Sequence, residues 1–102
     1  MIRANLKAGG SYGELVNCTN NNAYQCYNAN SDQFSTGTRD ITTEYVTVHY
    51  DTTTDVTTFT ASKACKVDLI KVGASAVESH TMAIGDTFTI PAGISQWSCV
   101  IS

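Results

Sequence analysis

The sequence predicts an all-β protein, a single antiparallel β-sandwich of immunoglobulin-like or jelly-roll-like kind with about six to eight strands. Three observations carry that expectation. Apolar and polar residues alternate with period two over 45–50, 56–61 and 86–90, the pattern of a strand with one buried face. Turn chemistry interrupts the chain roughly every 8 to 12 residues. No stretch holds the 3.6-residue period of an amphipathic helix for long, so helix content is expected near zero.

Residues 1–14 place Gly9, Gly10 and Gly13 around Ser11 and Tyr12, a composition that breaks regular structure. They are expected to form an N-terminal arm, with Gly9, Gly10, Tyr12 and Gly13 as its protein contacts, ahead of a β-sandwich domain over 15–102. Leu15–Cys18 and Ala23–Tyr27 are short β-prone runs on either side of Thr19-Asn20-Asn21-Asn22, where asparagines tolerate left-handed backbone, and read as a hairpin. Residues 28–40 have Phe34 as their only large apolar group and read as a surface loop.

Tyr45–Tyr50 is the clearest strand, with Val46, Val48 and Tyr50 on one face. Asp51–Asp55 turns the chain into the return strand Val56–Ala61, anchored by Phe59. Cys65–Val72 carries Val67 and Leu69 on one parity and Ile70 and Val72 on the other, so it is central and either buried on both faces or bulged. Val77–Met82 follows, then the tight turn Ile84-Gly85-Asp86, the strand Thr87–Ile90, a stop at Pro91-Ala92-Gly93, and a last strand over Gln96–Ile101. The expected inward residues are Val46, Val48, Phe59, Leu69, Ile70, Phe88, Ile90 and Trp97.

The 102 residues allow one domain with a thin core. Charged residues are 15% of the chain and the net charge is -3, so polarity resides mainly in Thr, Ser and Asn. Six scattered basic residues do not make the basic footprint that phosphate backbones require, so nucleic acid is not an expected partner. Apolar runs as short as Met82-Ala83-Ile84 are not membrane spans. The N-terminus lacks the apolar stretch of a secretory signal, which leaves cytoplasmic synthesis or a mature terminus.

Cys18, Cys26, Cys65 and Cys99 lack the paired spacing of a zinc site. They read first as small buried hydrophobes, and the fold is expected not to depend on disulfides. If 19–25 is a hairpin tip, Cys18 and Cys26 are the candidate disulfide. His49 and His80 lie in expected strands without a catalytic motif around them, so no catalytic residue, metal or cofactor is expected. Asp51 and Asp55 in DTTTD could offer oxygens to calcium, but Asp at hairpin ends ordinarily satisfies turn N–H groups. Asn17-Cys18-Thr19 matches the glycosylation pattern, which needs a secretory route. Tyr24, Tyr27, Tyr45 and Trp97 could form a platform that stacks on sugar rings, although a lone Trp in a small sandwich more often fills the core.

Phe59-Thr60-Ala61, Val67-Asp68-Leu69, Ile84-Gly85-Asp86-Thr87 and Ile90-Pro91-Ala92-Gly93 together resemble a pattern in small β-rich virion proteins of tailed bacteriophages, among them head-decoration and fibre-associated subunits. The resemblance spans roughly 45 residues of the C-terminal half. It implies a non-enzymatic structural protein of the virion, synthesised in the host cytoplasm, that decorates or stabilises a capsid or attaches a fibre. Its partners would be other virion proteins such as a capsid protein, or further copies of itself. The alternatives are a carbohydrate-binding β-sandwich module and an adhesin fragment.

Overall fold

Strand follows strand along most of the described residues. A computed structural model describes residues 3–16, 32–35, 40–74 and 76–102. In chain order these form β1 (Arg3–Ala8), α1 (Tyr12–Val16), β2 (Asp32–Ser35), β3 (Ile41–Thr42), β4 (Val46–Asp51), β5 (Val56–Ala61), β6 (Cys65–Lys71), β7 (Glu78–Met82), β8 (Thr87–Ile90) and β9 (Gln96–Ile101). The protein is all-β. Its strands make a five-stranded sheet of order β2-β1-β9-β6-β7 and a four-stranded sheet of order β3-β4-β5-β8.

The expectations for residues 3–16 and 32–35 need correction. Instead of an arm, residues 3–8 form an interior strand, paired with β2 on one side and β9 on the other. Ala4 and Leu6 supply the reason: their side chains are buried in the main core, and the period-two placement of one small and one large apolar residue suits a strand. Nor is the fold wholly antiparallel, because β1 and β9 run parallel, from Arg3 opposite Gln96 to Ala8 opposite Ile101. Parallel neighbours require a long crossover, and here nearly the whole chain supplies it. The loop expected over 28–40 contains β2, antiparallel to β1 with Leu6 opposite Asp32. With it the described strands number nine, beyond the six to eight expected.

Leu15 and Val16 belong to α1 rather than to a strand. Ser11-Tyr12-Gly13-Glu14 is a capping box: the Glu14 N–H donates to Ser11 Oγ at 3.4 Å, and the Ser11 N–H donates to Glu14 Oε1 at 3.2 Å. These reciprocal bonds satisfy donors that a helix start leaves open. Lys7 at the end of β1 also pairs with Glu14. The rest of the expected hairpin, with Tyr24, Tyr27 and the Cys18–Cys26 pair, lies outside the described residues.

The two sheets contribute to one core of Ala4, Leu6, Val46, Val48, Phe59, Val67, Leu69, Ile90, Trp97, Cys99, Ile101 and their neighbours. All eight expected inward residues are buried except Phe88, which is half-buried and packs on that core. The double parity of β6 is burial on both faces, with no bulge in its registers to β7 and β9. Val67 and Leu69 face the main core, while Ile70 joins Leu15 of α1 and Val100 of β9 in a second cluster on the opposite face. The short helix is therefore the lid that lets two adjacent strands be apolar on both sides. Gly10 brings the chain down onto that face, and a Cβ there would stand 2.7 Å from Val100 Cγ1.

Candidate functional site

The flank where both sheets end together, at β7 in one and β8 in the other, gathers the features that could engage another molecule. Residues 83–86 join these two edges in a tight turn. Gly85 takes φ 84°, a left-handed conformation that glycine adopts without a Cβ penalty. Asp86 Oδ2 accepts the Ala83 N–H at 2.9 Å. The Gly85 N–H donates to Ala61 O and the Ala61 N–H to Asp86 O, each at 2.8 Å, fastening the turn to the end of β5. Ile84 at its tip is 74% exposed, the most exposed large hydrophobic among the described residues.

Behind the turn a file of rings runs from the core to this flank. Trp97 tilts against Phe59 at 5.4 Å between centroids, Phe59 stacks on Phe88 at 4.5 Å, and Phe88 stacks on His80 at 3.8 Å with the planes 1° apart. His80 comes from β7 and Phe88 from β8, so this stack bridges the two sheets. His80 Nε2 lies 3.7 Å from Glu78 Oε1. The open groove beside the stack is lined by Ser79–Met82 and Gly85–Phe88.

Among the described residues β8 pairs with a strand on one side alone. Its register against β5 sets Phe59 opposite Phe88 and Thr57 opposite Ile90. The bond from Ala61 N–H to Asp86 O fixes the phase: Phe88 and Ile90 turn their backbone groups toward β5, and Thr87 and Thr89 turn theirs outward, since the two directions alternate along a strand. Among the described residues no strand pairs with that outer side. No residue of β8 is charged. The other edge of the same sheet, β3, is only two residues long, and β7 carries Glu78, paired with Lys71 at 2.9 Å. Short length and charge are the usual guards against strand pairing, and β8 has neither beyond its modest length and Pro91 after its end.

The outer face of the four-stranded sheet continues this hydroxyl surface. Thr42, Thr47, Thr60 and Thr87 occupy one row across all four strands, and His49, Thr58 and Thr89 occupy a row across three. His49 Nδ1 lies 2.6 Å from Asp40 Oδ1 at the margin of the second row.

The acidic residues singled out in the sequence act in turns. Asp51 Oδ1 accepts the Thr53 and Thr54 N–H groups at 2.8 and 3.3 Å, and these bonds hold its carboxyl below the usual range. Asp55, at φ 60°, accepts the Gly93 N–H on Oδ2 at 2.8 Å and the Tyr50 hydroxyl on Oδ1. The Gly93 bond first, and the Tyr50 bond second, lower its pKa. Asp55 thereby ties the β4–β5 turn to the β8–β9 turn. Among the described residues no three His, Cys, Asp or Glu side chains converge on a metal-sized position.

Trp97 is fully buried in the main core and does not belong to a sugar platform. A strand buried on both faces leaves its inward aromatic no route to solvent. Tyr45 is half-buried, with Lys63 Nζ 4.5 Å above its ring. The expected arm contacts also part company: Gly10 is packed on Val100, Gly9 at φ 76° donates its N–H to Ile101 O at 2.7 Å, and Tyr12 is half-exposed with its ring 5.9 Å from Lys66 Nζ. Gly13 lies within α1. Cys65 and Cys99 are buried free thiols, and burial raises the pKa of both, most strongly that of Cys99. No helix among the described residues is long and apolar enough to cross a membrane.

No family model, curated protein or solved structure matches the chain.

Proposed function

We propose that the protein is a non-enzymatic structural subunit of a bacteriophage particle that decorates or stabilises the capsid, or attaches a fibre, through protein–protein contacts. The observation that carries the contact-making part of this reading is the outer edge of β8, an uncharged strand whose outward N–H and C=O groups pair with no strand among the described residues, beside the exposed Ile84. Strand edges of this kind take up an extended segment of another chain by main-chain hydrogen bonds. The virion assignment rests on the resemblance of Phe59-Thr60-Ala61, Val67-Asp68-Leu69, Ile84–Thr87 and Ile90–Gly93 to small virion proteins.

The same reading takes the two sheets as the layers of a β-sandwich, supported by the single core to which both contribute. Folding a chain of this size buries a limited area, and a partner that covers an edge adds stability through binding. The carbohydrate-binding alternative loses Trp97 as a stacking group, because that ring is in the core.

The test is biochemical fractionation. Phage particles purified on a density gradient from cells that carry the gene should contain the chain in many copies, retained through a high-salt wash. Its absence from particles, together with micromolar binding to an oligosaccharide, overturns the assignment in favour of a glycan-binding module.

A further inference from the structure

We propose that the edge of β8 is the pairing surface for a second copy of this chain, in a two-fold antiparallel contact that joins two four-stranded sheets into one. This inference rests on the contact-making role given to that edge above, and it names the partner and the register.

The register follows from the backbone. In an antiparallel pair related by a two-fold axis, the positions that turn their N–H and C=O outward must face each other. Thr87 and Thr89 are those positions. Centring the axis on Phe88 sets Thr87 of each copy opposite Thr89 of the other, which forms four main-chain hydrogen bonds across the contact. The two Phe88 residues then oppose one another as a non-hydrogen-bonded pair, the closer of the two pair types, on the side that faces the core. On the outer face two Thr–Thr pairs form, a favourable cross-strand combination. Beyond this segment Pro91 would fall opposite Gly85, and a proline has no N–H to donate. The contact is thus bounded by the sequence itself.

Identity of the two partners costs nothing electrostatically, because the residues that meet carry no charge. The same operation on β7 would bring a second Glu78 and His80 to each edge. The threonine rows of the outer face, Thr42–Thr47–Thr60–Thr87 and His49–Thr58–Thr89, continue across the junction, each meeting the other row of the second copy. Four hydrogen bonds and a short segment make a small interface, so the pairing is expected to be in the micromolar range and to dissociate on dilution.

The test is the mass of the purified chain in solution, read by light scattering and sedimentation over a concentration series. The wild-type chain should move from one copy to two as concentration rises through the micromolar range. Thr89→Pro removes an outward N–H that β5 does not use, and should weaken association about tenfold or more. The double variant T87K/T89K sets lysine against lysine twice and should remain a single copy. T87K/T89E sets lysine against glutamate twice and should restore the pair. Thr87 and Thr89 are exposed, and circular dichroism checks that each variant keeps its β spectrum. A wild-type chain of one-copy mass up to millimolar concentration overturns the proposal, as does association of T87K/T89K equal to wild type, or a T87K/T89E variant that stays single. A single-copy chain that still co-sediments with particles removes this pairing alone, whereas a dimer absent from particles removes the virion role alone.

Discussion

Asp55 concentrates several constraints in one residue: a left-handed backbone, a carboxylate shared between the Gly93 N–H and the Tyr50 hydroxyl, and a link between two turns far apart in sequence. Its lowered folded pKa has a definite pH consequence. A carboxyl whose folded value lies below the unfolded one of about 3.9 contributes fully above that value, and the contribution is lost as pH falls through the folded value. Asp51 has the same sign through the Thr53 and Thr54 N–H groups. Urea midpoints should therefore fall steeply below about pH 4, and Asp55→Asn, which tolerates the left-handed backbone, should make that fall shallower. An unchanged acid limb would show that Asp55 does not couple to folding. Thr57 gives the opposite case. Its hydroxyl is buried without a hydrogen-bond partner among the described residues, so Thr57→Val should raise stability by about 1 kcal/mol, measured by chemical denaturation. The turn role of Asp51 was legible in the sequence, because an aspartate two residues before an N–H satisfies it locally. The reach of Asp55 to Gly93 was not, since nothing local couples residues 38 apart.

At the scale of elements, the helix α1 shows how a short segment decides the character of distant strands. Leu15 is fully buried against Ile70 and Val100, and truncating such a side chain costs about 2–5 kcal/mol. Leu15→Ala should destabilise the protein within that range. Gly10→Ala, which forces a Cβ to 2.7 Å from Val100 Cγ1, should cost about 1–3 kcal/mol by overpacking. Both are measured by urea unfolding, and a neutral Leu15→Ala would mean that the lid contributes nothing to the outer face of β6 and β9. Strands β5, β8 and β9 were legible to the residue because a period-two pattern and a flanking turn agree there. The glycines at 9, 10 and 13 hid β1 and α1, because glycine content signals loops on average whatever a particular contact requires. The Ser11–Glu14 capping box stood in the sequence as a start signal for α1, and the alternation of Ala4 and Leu6 stood as a weak one for β1.

For the molecule as a whole, the core was legible and the partners of its strands were not. Apolar parity identified seven of the eight expected inward residues as buried, and parity is a local property. Sheet order is not local: no pattern within β1 says that its neighbour is β9. The β7–β8 flank was visible only as a turn motif, Ile84-Gly85-Asp86, because an open edge is defined by what lies beside it. The buried Trp97 should emit at short wavelength, resist quenching by iodide, and show no shift on addition of oligosaccharides; a red-shifted, sugar-sensitive emission would contradict its position in the core. Site-resolved alkylation should leave Cys65 and Cys99 unmodified in the folded chain and label them on unfolding, since both thiols are buried and held protonated. Finally, the parallel pairing of β1 with β9 bears on how the protein is made. Translation delivers Ala4 and Leu6 first and their strand neighbour Trp97–Ile101 some ninety residues later, a delay on the order of 5–20 s at ordinary elongation rates. Throughout that interval the five-stranded sheet lacks the strand that joins its two halves, so the apolar residues of β1 leave the ribosome long before the parallel neighbour that covers their backbone, and they are open to chaperones that hold apolar segments until β9 follows.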